Sequence, residues 1–160
     1  MTGSGGTKGS GGTKGSGGGS GSGGVSPLCT SGKVWTGGDE GLDMRPGENC
    51  GSCHIAEKPF TIAGTVYPTA TDPDDCVGTT AGGIQVIITG ADGKVTTLTP
   101  SAKSGNFTSV ATIKTPYSAK VTNSDGLVRA MIESQTVPYC NSCHTPEGAN
   151  GAPGRIIEPN

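Results

Sequence analysis

The chain has 160 residues, 11 basic and 13 acidic side chains for a net charge of −2, and hydrophobic and aromatic shares of only 31% and 4%. It carries no basic stripe, which argues against a nucleic-acid partner, and no apolar run of 18 residues, so no segment is expected to span a membrane. One Trp, two Phe and three Tyr cannot build a large core, so the fold needs cross-links or a bound apolar body to complete it.

Residues 1–24 repeat Gly, Ser, Thr and Lys in six-residue units with no apolar side chain after Met1. Such a segment cannot offset its ordering entropy by burial and reads as a flexible tether. Its composition fits either an expression linker or the stalk of a surface lipoprotein. Residues 25–160 suit one domain, and without Lys8 and Lys14 the net charge is −4. Within it, 25–58 shows little periodicity and reads as irregular wrapping that holds Cys29, Trp35, Met44 and Cys50. From 59 the texture becomes β-branched. Strands are expected at 60–67, bounded by Pro59 and Pro68, and at 84–89. Asp92 and Gly93 turn the chain into 95–99. A turn at 104–106 leads into a strand through Phe107, Val110 and Ile113, and further strands follow at 117–122 and 127–132. The fold class is therefore mainly β, an antiparallel sandwich of six to seven strands over 59–132. The remaining segment, 133–160, is a second irregular stretch.

Both histidines of the chain, His54 and His144, stand directly behind a Cys-x-x-Cys pair: Cys50 with Cys53, and Cys140 with Cys143. Cys-x-x-Cys-His is the attachment signature of c-type haem. The two thiols add across the vinyl groups, and the adjacent histidine becomes the proximal iron ligand. The expected cofactors are thus two covalently attached haems. Four thiolates also suit tetrahedral zinc, but the pairs start 90 residues apart and zinc leaves both histidines unexplained. A thiol-redox motif calls for a βαβ setting, which the β-rich middle does not offer. If each strand reverses direction, both motifs fall at the same pole of the sandwich.

No third histidine exists to complete the iron coordination. Met44, six residues before Cys50, and Met131, nine before Cys140, are the candidate distal ligands. A thioether is soft and raises the reduction potential. The competing role is filling a core gap. Strand parity puts Val128, Ala130 and Ile132 on one face and Met131 with Arg129 on the other, which speaks against that role. For Cys29 and Cys76 a disulfide is expected in an oxidising compartment, contributing about 4 kcal/mol in the loop-entropy picture.

The stretches Cys29-Thr-Ser-Gly-Lys-Val-Trp-Thr-Gly-Gly38, Met44-Arg-Pro-Gly47, Phe60-Thr-Ile-Ala-Gly-Thr-Val-Tyr-Pro68 and Gly151-Ala-Pro-Gly-Arg-Ile156 resemble a family of secreted bacterial dihaem proteins, many of them lipoprotein-like. The middle of the chain resembles the carboxypeptidase-regulatory or transthyretin-like β-sandwich. The resemblance spans 29–156. It implies a cytochrome, with Met44 and Met131 as the matching ligand candidates. The expected function is electron transfer outside the cytoplasm, in the periplasm or at the outer surface, with redox proteins as partners and no catalytic residues. Haem attachment there calls for a secretion leader, and no charged n-region or apolar h-region is present. The expectation is that such a leader, with any lipid anchor, lies ahead of the residues given. The alternative is a cell-surface binding or structural sandwich with a four-cysteine zinc site, for which Trp35 is the one aromatic suited to carbohydrate stacking.

Overall fold

Among the described residues the β-branched runs fold as seven strands in two sheets, with one short helix at the first Cys-x-x-Cys-His motif. The computed structural model describes residues 35, 38, 40–57, 59–72 and 77–160. The tail 1–24 and the expected Cys29–Cys76 bridge lie outside them. In chain order the elements are α1 Gly51–Glu57, β1 Ile62–Tyr67, β2 Gln85–Thr89, β3 Val95–Leu98, β4 Asn106–Ser109, β5 Ser118–Thr122, β6 Val128–Ala130 and β7 Ile156–Ile157. One sheet runs β3-β2-β5-β6 and the other β4-β1-β7. Every pair is antiparallel except β1 with β7. The mainly-β sandwich read from the sequence is the architecture observed.

Alternation decides which side chains meet between the sheets. On β2, Val86 and Ile88 are buried while Gln85 is exposed, as a strand with one covered face requires. They join Ile62, Val66, Ile84, Phe107, Tyr117 and Val121 in the core. Burying Phe107, Ile62, Ile88 and Val66 completely contributes about 1.5–3 kcal/mol each. β1 is buried at all six positions. Its Ile62 and Val66 face the core, and the Thr65 and Tyr67 side lies under chain from outside the sandwich.

Three local expectations need correction. The fourth strand stops at Ser109 rather than Ile113, because the Ser109 hydroxyl accepts the Ala111 amide at 3.0 Å and turns the chain outward, leaving Val110 76% exposed. The sixth strand is only Val128–Ala130. Its aliphatic residues do not face a core: Val128 is 52% and Ile132 101% exposed, since β6 is a sheet edge. The parity argument against a core-filling Met131 therefore falls, because Met131 is on the half-buried side whatever its role. The third correction is β7, which the sequence does not signal. Two residues are too few to show a period.

The chain ahead of the first motif is fastened to the connection between β3 and β4. A carboxylate oxygen of Asp43 accepts the Ser101 hydroxyl, and the Ser104 hydroxyl at 2.9 Å. The Ser101 hydrogen bond is the main cause holding the Asp43 carboxyl below its ordinary value of 3.8, with Ser104 and Lys103 adding to it against partial burial. A carboxyl depressed on folding stabilises fully above that ordinary value and loses the contribution as pH falls through the lower folded one. Acid titration should therefore free residues 40–48 only below the ordinary carboxylate range, and Asp43→Asn should remove that step. Amide exchange of this segment against pH checks it. Release already at pH 6 would contradict it.

Among the described residues, no helix is long and apolar enough to cross a membrane.

Candidate functional site

A Cys-x-x-Cys-His spacing covers one helical turn, which puts both sulfurs on one face and the histidine just beyond. The two motifs take this turn in the same way. The His54 amide donates to the Cys50 carbonyl at 3.0 Å, and that of His144 to the Cys140 carbonyl at 2.9 Å. The Ser52 hydroxyl returns to the Asn49 carbonyl at 2.7 Å and Ser142 to the Tyr139 carbonyl at 2.6 Å. In α1 the Asn49 side chain also caps the Gly51 amide at 3.0 Å, and the helix ends before Pro59. At the second motif only a 3-10 turn, Cys140–Ser142, forms, with Pro146 shortly after. The helical turn of the first motif corrects the expectation that 25–58 is wholly irregular.

The motifs are packed against each other across β1. The second enters the sheet as an extra strand position, with Tyr139 bridging Ala63 in parallel. Residues 140–155 then leave the sheet, and the chain returns beside Val66 as β7. Close approach here requires glycine twice. A Cβ at Gly51 would collide with the Tyr139 ring, and one at Gly64 would stand 2.9 Å from the Cys140 Cβ and 2.7 Å from Phe107 Cζ. The expected proximity of the motifs is present, through docking on β1 rather than through a count of strand reversals.

A buried polar network holds this junction. Asn141, 4% exposed, accepts the Thr65 amide at 3.1 Å and donates to the Glu48 carbonyl at 2.9 Å and the Thr65 hydroxyl at 3.0 Å. The Thr65 hydroxyl also accepts the Gly47 amide at 2.9 Å and donates to Asn106 at 2.7 Å. Asn106 in turn donates to the Leu42 and Met44 carbonyls at 2.8 and 2.7 Å. Replacing Asn141 by alanine leaves the buried Thr65 amide unpaired and should lower stability by about 3 kcal/mol, read by denaturant unfolding. A loss under about 1 kcal/mol would show that the network does not fasten the motifs.

The surroundings of the two motifs differ. His54 is half-buried, its ring centroid 4.8 Å from that of Phe60 at a 49° tilt, and Cys53 is exposed while Cys50 is half-buried. At the second motif a cavity of about 550 Å³ opens, lined by Cys140, Cys143, His144 and Met131, within the volume range of ligand pockets. Its inner wall is the core itself, with Val86, Ile88, Phe107, Tyr117 and Val121 among the lining residues. His144 Nδ1 lies 2.8 Å from the Gly154 carbonyl. Donation from Nδ1 to a carbonyl fixes the tautomer that leaves Nε2 free to bind a metal. The Met131 amide donates to the Ala119 carbonyl on β5 at 2.9 Å, which anchors that side chain at the cavity. Met44 lies outside the cavity, and Trp35 is half-buried with its indole N–H on the Gly38 carbonyl at 3.3 Å.

Burial pushes the Cys140 thiol up to about 12, with nearby Cys50 adding to it. It also raises the Cys50 thiol and the Tyr117 phenol, whose hydroxyl donates to the Val137 carbonyl at 2.6 Å. Both leading cysteines are thus held as thiols at neutral pH rather than primed as nucleophiles. Among the described residues no group of three or more His, Cys, Asp or Glu is placed to hold a metal ion directly.

Gly154 and Asn141 carry no functional signal of their own in the sequence. Compared with known proteins, the chain matches no family model, no curated protein and no solved structure.

Proposed function

We propose that the protein is a dihaem c-type cytochrome that carries electrons outside the cytoplasm. The observation that carries the reading is the second motif, where Cys140, Cys143, His144 and Met131 line one cavity and the Gly154 carbonyl fixes the histidine ring. The donor set fits the group: two thiols on one helical face, an imidazole with Nε2 free, and an apolar wall. When bound, haem supplies iron that cycles between ferrous and ferric states. The chain's own part is to hold His144 in one tautomer, to exclude water with Phe107 and the aliphatic wall, and to present the Met131 thioether as candidate second ligand. Cys50, Cys53 and His54 repeat the same backbone turn, and Met44 is the candidate ligand there. Attachment of this kind places the protein in the periplasm or at the outer surface, with redox proteins as partners and no catalytic role of its own.

The zinc reading asks four thiolates to converge. The leading cysteines of the two pairs lie near each other, but among the described residues no group of three or more His, Cys, Asp or Glu is placed to hold a metal ion, and zinc leaves His54 and His144 without a role. A reduced-minus-oxidised visible spectrum of protein made with haem-maturation machinery separates the two. Sharp c-type bands are expected, and a featureless spectrum from that host would overturn the proposal.

A further inference from the structure

The second cysteine of each motif is held differently by its own turn. Cys53 lies inside α1. At the second motif the 3-10 turn ends at Ser142, and Cys143 is the residue that caps it, at φ −112° and ψ −41°. A cap residue is only half constrained by the turn it closes, so its side chain takes its direction from other contacts. The preceding serine supplies one in both motifs, Ser52 with Cys53 Sγ at 3.8 Å and Ser142 with Cys143 Sγ at 3.7 Å. Among the described residues only the Cys143 sulfur has a further one.

That contact comes from the loop that follows. The Ala149 amide donates to the Cys143 carbonyl at 2.8 Å, and the Asn150 side-chain amide donates to Cys143 Sγ at 3.7 Å, sulfur being a weak acceptor with a long reach. Two consecutive residues thus close on one cysteine, one by backbone and one by side chain. Asn150 does so from a left-handed backbone, φ +51°, which asparagine tolerates better than most residues with a side chain. It lines the cavity together with Cys143 and His144. We propose that Asn150 is a positioning residue that holds the Cys143 sulfur in place for the second thioether bond of that motif. The inference rests on the dihaem reading and deepens it at one sulfur. Attachment there is an addition: the sulfur bonds to the inner carbon of a vinyl group, the thiol hydrogen ends on the outer carbon, and nothing leaves.

The test uses the full chain made with haem-maturation machinery, as wild type and as Asn150→Gly and Asn150→Asp. Both replacements accept the left-handed backbone. Glycine removes the amide, and aspartate puts an acceptor of nearly the same shape where the donor stood. Each protein is denatured and alkylated, and peptide mass spectrometry reads which cysteines were free. Wild type should be labelled at none of the motif cysteines. Both variants should be labelled at Cys143 in a large share of chains, with Cys50, Cys53 and Cys140 still closed. The α-band of their reduced pyridine complexes should move to longer wavelength, as an unreacted vinyl group requires. Cys143 as closed in either variant as in wild type would overturn the role of Asn150. So would Cys140 opening along with Cys143, since that marks loss of the whole motif rather than of one sulfur's direction. A crystal structure of the wild-type holoprotein serves if the variants fold poorly: Asn150 Nδ2 should stay within hydrogen-bond range of the Cys143 sulfur, and a side chain turned away from it would also overturn the role. Wild-type protein labelled at every motif cysteine overturns the dihaem reading instead, and needs no variant.

Discussion

Serine at Cys140 and Cys143 is expected to destabilise the protein far more than serine at Cys50 and Cys53. The cavity of the second motif is continuous with the sandwich core, since Val86, Ile88, Phe107, Tyr117 and Val121 belong both to the core and to its wall. A haem held there covers several large apolar side chains, each worth about 1.5–3 kcal/mol when removed from water. Losing it should cost on the order of 5 kcal/mol, comparable to the whole stability of a small domain. The first motif stands outside that core. Cys53 is exposed and Ile55 in the same helix is 70% exposed, so a haem bound there would cover His54 and Phe60 rather than the space between the sheets. Denaturant unfolding of the two double variants, each made with maturation machinery, measures the difference. Equal losses would show that the cavity is not completed by haem.

Alanine at Met131 should turn one haem of the two into a high-spin form open to added ligands. The potential of that haem should fall by on the order of 100 mV, because the thioether favours ferrous iron. Met131 and His144 line one cavity, so the affected haem should be the one bound through Cys140 and Cys143. Met44→Ala should act in the same way on the His54 haem, whose histidine does not line that cavity. Visible and EPR spectra of the two variants read the outcome. Two low-spin haems retained in both variants would remove both methionines from the coordination.

The sandwich and its turns are legible in the sequence because they rest on local signals. The run at Gln85–Thr89 alternates, and Gly93 sits in its turn with φ +77°. The face of β6 is not legible for a physical reason: parity tells which residues share a side, but only neighbours decide which side is covered. Among the described residues no strand lies beyond β6, and Val128 and Ile132 are exposed. At the site, the Cys-x-x-Cys-His residues are readable because their spacing is itself a signature of one chemistry. Asn141 and Gly154 are not, because their roles are set by partners far away in sequence or by a backbone carbonyl, which leaves no trace in residue type. The docking of the second motif on β1 depends on Gly64 and Gly51, and a glycine in sequence does not say which side chain will lie against it.

The most direct test of the central claim is the mass of the denatured chain after expression with haem-maturation machinery. Thioether bonds survive unfolding and noncovalent haem does not, so the account predicts a single species heavier than the polypeptide by two haems, with both attached to peptides containing Cys50–Cys53 and Cys140–Cys143. A chain at its polypeptide mass from that host, with zinc as the only metal, would contradict it.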